Sequence, residues 1–100
     1  MMIDINSRES ASSSNQTPFL VGDESVMKLA LDLVDIIQNT GKIIIKGKGE
    51  MCANTVSIAN IITENILKGN SKTERITLDS DMSDDGQMIS TIEIVILKIN

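Results

Sequence analysis

The residues best placed to do chemistry are Lys46-Gly47-Lys48-Gly49, two cations interleaved with two glycines. Where such a run joins a strand to a helix, backbone N–H groups and the positive helix end can cradle a phosphate, with the lysines as flanking charges. On the residues alone the plainer reading is preferred, that the glycines permit a tight turn, because short glycine patterns have low specificity. The dinucleotide pattern is incomplete, since Cys52 stands where its third glycine belongs, and the chain is too short for the usual doubled βαβ architecture. A Walker sequence is absent as well.

A second group, Asp79, Asp81, Asp84 and Asp85, offers hard oxygen ligands, but its spacing does not match the twelve-residue calcium loop. It reads as a solvated hairpin. A contact for a basic protein, or charges that stop an exposed strand from joining others, are alternatives that the sequence leaves open. Cys52 falls near a helix start, where a thiolate is favoured, yet no base accompanies it and it reads as a small buried hydrophobe. Histidine is absent, which removes imidazole general bases, the common serine and cysteine triads and histidine-ligated metals. With no nucleophile–base pair at usable spacing, the expectation is a non-enzymatic protein with no metal, cofactor or small-molecule substrate.

The elements that must position these residues belong to one domain, because 100 residues leave no room for two cores. Phe19 is the sole aromatic, so the core must be aliphatic, and a partner would help so small a domain to bury enough surface. One cysteine and no charged-then-apolar leader suggest a reducing intracellular compartment, cytoplasmic or nuclear. The apolar runs are far shorter than the roughly 18 residues of a membrane span. A net charge of −5 opposes nonspecific attraction to nucleic acid or anionic lipid, so any cationic site has to be local.

Residues 1–16, rich in Ser, Asn and Gln, have little to bury and read as a disordered arm before a domain over 17–100. Pro18 suits the start of an edge strand through Phe19, Leu20 and Val21, ended by Gly22. From Ser25, the residues Val26, Leu29, Ala30, Leu33, Val34 and Ile37 recur as one helical face. Asp23 or Ser25 can cap that helix and Gly41 stop it. Lys42–Lys46 predicts an isoleucine strand, and a second helix follows over about 51–68, with a polar stripe too narrow for a helix that touches only the sheet. From Glu74 to Met82, Ile76 and Leu78 alternate with Arg75, Thr77, Asp79 and Asp81, and an Asp-Gly turn then leads into a last strand from Met88 to Ile99. There Ile92, Ile94 and Ile96 share a face, while Val95, Leu97 and Ile99 add apolar area to the other, suited to a subunit contact. The order β-α-β-α-β-β predicts an α+β two-layer sandwich, a mixed four-stranded sheet with both helices on one face.

This order, Ile45-Lys46-Gly47-Lys48-Gly49 leading into a helix, Val26-Met27 opening the first helix and the closing Ser90-Thr91-Ile92-Glu93-Ile94 together resemble the Alba superfamily over about residues 19–99. The resemblance implies a small dimer that binds DNA or RNA, with relatives in archaeal chromatin, on messenger RNA, and among subunits of ribonuclease P and MRP. It raises the phosphate reading of Lys46, Gly47, Lys48 and Gly49, with Lys28 and Lys42 as weaker helpers. It places the dimer surface at Ile62 and Ile66 on the second helix and at Val95 and Leu97 on the last strand. The family's basic pair before the first helix falls on Asp23 and Glu24, its later basic positions on Glu50 and Asn54, and its arginine-bearing hairpin on Asp81, Asp84, Asp85 and Gln87. Such a hairpin repels phosphate, which favours RNA over duplex DNA as the partner, or else a heterodimer in which a more basic Alba-like paralogue makes most of the contacts. With Phe19 alone available for stacking, RNA would be held mainly by backbone and shape.

Overall fold

A computed structural model describes residues 17–99. The expected arm over 1–16, and Asn100, lie outside the described residues. Strand β1 (Phe19–Leu20) is followed by helix α1 (Val26–Thr40), strand β2 (Lys42–Lys48), helix α2 (Met51–Ile61), a π-helical turn (Ile62–Ile66) and the long hairpin strands β3 (Ser71–Met82) and β4 (Met88–Lys98). The sheet runs β1-β2-β4-β3, with β1 parallel to β2 and the other two pairings antiparallel. This is the expected mixed four-stranded α+β sandwich.

Helix α1 forms because its apolar residues repeat at helical spacing, burying Leu29, Ala30, Leu33, Val34 and Ile37. Ser25 is its cap: the hydroxyl accepts from Lys28 N at 3.4 Å. Gly41 stops it in the left-handed conformation, φ 84°, and donates to Ile37 O at 2.7 Å. Replacing Ser25 by Ala should lower stability by about 1 kcal/mol. A thermal melt checks this, and Ser25→Asp should retain the wild-type midpoint because its carboxylate caps equally well.

One aliphatic cluster joins the layers. Leu29, Leu33 and Ile37 of α1 and Ile58 and Ile62 of the second helical segment meet Ile43, Ile45, Ile92, Ile94 and Ile96 of the sheet. Phe19 packs against this cluster half-buried. The helices cover β2 and β4, and the π-helical turn is the part of their layer that reaches β3.

Two elements differ from the sequence reading in ways that matter for the surface. The second helix is not one α-helix to residue 68, because Leu67 donates to Ile62 O at 2.8 Å, five residues back, and opens a π-turn. The wider turn brings Leu67 around to the side of Ile62, so both are buried, and it leaves Ile66, four residues after Ile62, at the surface. Strand β3 starts three residues earlier than its alternation suggests, behind a bulge: Thr73 pairs with Ile96 and Arg75 with Val95, leaving Glu74 without an opposite residue. The hairpin connection is a turn closed by Gly86 N to Ser83 O at 3.0 Å, with Gly86 at φ 84° before Gln87 rejoins the ladder.

Candidate nucleic-acid interface

Register decides which charges meet. Residues opposite one another in a sheet share a face with Cβ atoms about 4.5–5.5 Å apart. Ile43, Ile45, Ile92, Ile94 and Ile96 point to the helices, so Lys42, Ile44, Lys46 and Lys48 of β2 point to the helix-free face. Across that face run four rows: Lys42–Leu97–Lys72, Ile44–Val95–Arg75, Lys46–Glu93–Thr77 and Lys48–Thr91–Asp79. Asp81, opposite Ile89, continues the face towards the hairpin turn. A shallow cleft lined by Lys46, Thr77, Asp79, Asp81, Thr91 and Glu93 lies at the turn end.

Lys42, Lys46 and Lys48 therefore converge on one surface. Lys28 does not join them in the same layer: it stands on α1 and bonds Asp32 Oδ2 at 3.2 Å. That hydrogen bond, then the charges of Asp32 and Glu24, hold its ammonium above the ordinary lysine pKa. Lys46 and Lys48 have acidic neighbours too, Glu93 beside Lys46 and Asp79 two strands from Lys48. At the turn of the hairpin the Ser83 hydroxyl and then the Gln87 N–H donate to Asp85 and hold its carboxyl below the ordinary value.

The two glycines each have a role within the fold. Gly49 N–H is engaged with Ser90 O at 2.7 Å, and Gly49 O accepts from Cys52 N at 3.1 Å. Gly49 adopts φ 56°, the left-handed region that a tight turn requires. Gly47 serves contact between layers: a Cβ there would overlap Thr55 Oγ1 and stand 2.6 Å from Met51 O. The start of α2 thus rests directly on the strand. Cys52 is half-buried against the same place, its Sγ 3.6 Å from the carbonyls of Gly47 and Ser90.

The four residues expected at a subunit contact differ in exposure. Ile62 is fully buried among the helices and strands, and Val95, between Ile44 and Arg75, is 2% exposed. Leu97 is half-buried on the helix-free face between Lys42 and Lys72. Ile66 is exposed, and so are apolar residues of β3 that were not among those four. Ile76 and Leu78 lie opposite Ile94 and Ile92 on the helix side, yet they are 57% and 75% exposed because the helices stop short of β3. Val56 of α2 and Ile66 of the π-helical turn are exposed apolar residues of the helical layer. The alternation of β3 shows Ile76 and Leu78 on one face, but only the extent of the helical layer reveals that this face is open.

Among the described residues no cluster of three metal-ligating side chains occurs, and no helix is long and apolar enough to cross a membrane.

Known proteins carry the same arrangement. The family model for Alba matches residues 19–80, from β1 nearly to the end of β3. Alba from Thermoplasma volcanium superposes with a TM-score of 0.72 at 29% identity, over 82% of this chain and 100% of that one. ALBA1 from Trypanosoma brucei, at 16% identity, shares the fold with a TM-score of 0.67 over 88% of this chain and 74% of its own. No curated protein matches the sequence significantly. A family model that spans most of the sandwich, and a relative that fits within the chain over its whole length, agree with the order and pairing of the strands: the chain belongs to the Alba family.

Proposed function

We propose that this protein binds RNA without catalysis, as a dimer, through phosphate contacts from the cationic side chains of the helix-free sheet face. Alba proteins are generally nucleic-acid-binding, non-enzymatic proteins that often form dimers. The observation that carries the reading is the alignment of Lys42, Lys46 and Lys48 on one face of β2 in a chain whose net charge is −5. Their span, six strand steps, is about 20 Å, enough for several successive phosphates. The charged hairpin disfavours insertion into a duplex groove, which is why RNA is preferred to DNA. Dimerisation would use Val56, Ile66, Ile76 and Leu78, apolar side chains that a monomer leaves in water.

Reversing both charges at the turn end, Lys46→Glu with Lys48→Glu, should weaken binding of a labelled single-stranded RNA about threefold at low salt. Fluorescence anisotropy checks it; unchanged affinity would remove these two residues from the site. The modest size follows from Glu93 and Asp79, which already offset part of the lysine charge.

A second reading is favoured by that same offset. A subunit whose own turn end is so acidic suits a heterodimer, with a more basic Alba-like paralogue supplying most phosphate contacts in a ribonucleoprotein. Purification of this chain from its source as a homodimer alone, without a paralogue, would count against that arrangement. A cytoplasmic or nuclear location belongs to both readings.

A further inference from the structure

We infer that the strongest phosphate-binding surface lies at the end of the sheet away from the glycine turn, where Lys42, Lys72 and Arg75 meet on the helix-free face. The inference rests on the RNA-binding reading above and assigns the site within it. Lys42 and Lys72 flank Leu97 in one row, and Arg75 flanks Val95 in the next, so three cations from two strands stand within adjacent rows. Lys72 and Arg75 are exposed.

The bulge makes this cluster. Counting back from Thr73–Ile96 in regular register, the residue opposite Val95 would be Glu74; the extra residue brings Arg75 there instead. A bulge re-aims the side chains beyond it, and here it sets the Arg75 guanidinium opposite Val95, in the row next to Lys42 and Lys72. Arginine's planar fork then presents paired donors to phosphate oxygens, which a lysine cannot do.

Charge separates the two ends. At the turn end, Lys46 and Lys48, with roughly half a charge from the start of α2, are matched by Glu50, Asp79 and Glu93. At the far end, Glu74 is the one carboxylate of β3 before Asp79; Lys42 is half-buried and has a partner of its own, and the exposed Lys72 and Arg75 stand beside Leu97 and Val95, with Ile44 completing the second row. These aliphatic neighbours keep water from part of the cationic rim and so strengthen each contact. They also lack the ring faces on which bases stack, so the surface should take the backbone of any single strand with little regard to sequence.

The test compares the full chain with two variants, Lys72→Glu/Arg75→Glu and Lys46→Glu/Lys48→Glu, in anisotropy titrations of a labelled single-stranded RNA at about 50 and about 200 mM salt. The exposed pair at the far end should cost at least tenfold in affinity at the lower salt. Its log–log salt slope should be shallower by about 1.4, the loss of two contacts to a single strand. Circular dichroism and thermal midpoint should match the wild type. Wild-type affinity and slope in Lys72→Glu/Arg75→Glu, with binding lost in Lys46→Glu/Lys48→Glu, would overturn the inference and leave the RNA reading standing. No binding by the unmodified chain would overturn both. If the far-end variant changes only a salt-sensitive self-association, the cluster docks the acidic hairpin of another copy and the inference is likewise overturned.

Discussion

Replacing Gly47 by Ala should destabilise the fold by about 3 kcal/mol, the upper part of the usual range for forcing atoms into a packed core. The added methyl meets the Thr55 hydroxyl and the Met51 carbonyl together. Thr55 is fully buried and its Oγ1 donates to Met51 O at 2.7 Å, so the side chain cannot swing away without leaving that bond. The carbonyl cannot be removed at all. Two outcomes follow from this geometry. The midpoint of a thermal melt should fall by more than about 10 °C for a domain of this size. Adding Thr55→Ala should recover only part of the loss, because Met51 O remains in the way. Full recovery would mean that Thr55 alone sets the spacing between α2 and β2. The effect on RNA affinity at a temperature where the variant is folded should be small, since Gly47 faces the helices and the lysines face away.

Ile76→Asp with Leu78→Asp should convert the proposed dimer to a monomer at micromolar concentration. Each apolar side chain moved from water into an interface contributes about 1.5–3 kcal/mol, and a buried unpaired carboxylate opposes association further. The dissociation constant should rise by at least a hundredfold, the equivalent of about 2.7 kcal/mol. Both positions are mostly exposed in a single chain, so the monomer itself should keep its fold. Sedimentation velocity, with circular dichroism as the control, reads the result. An unchanged dimer would move the subunit contact elsewhere, and Val95→Asp would not be a fair comparison, because Val95 is buried within one chain.

The elements were legible wherever local chemistry acts alone. Ser25 and Gly41 bracket α1 as their side-chain oxygen and left-handed backbone require, and the isoleucines at 92, 94 and 96 fall on the core face that their alternation implies. The site was legible only strand by strand. Arg75 was assigned to the polar side of its strand, but nothing in the chain near residue 75 tells that Lys42 lies two strands away in the neighbouring row. That proximity comes from the order β2-β4-β3 and from one unpaired residue at the bulge. The π-turn was hidden for a similar reason. Helical spacing groups Ile62 with Ile66, while burial of Ile62 together with Leu67 requires five residues in the turn. The glycines carry two meanings at once: a pattern that suits phosphate is also the pattern that lets a helix touch a strand at Gly47.

The helices' failure to reach β3 has a further consequence. Strand β3 is hydrogen-bonded along one edge to β4 and, beyond its first residue, is exposed along its length, whereas β4 is bonded on both edges and lies beneath the helices. Stability is therefore graded across the sheet. The outer strand can open without disturbing the aliphatic cluster, and its opening free energy is only a fraction of that for the whole domain. A partner that settles on this strand does more than add contacts: it brings the least cooperative part of the chain into the same folding unit as the rest.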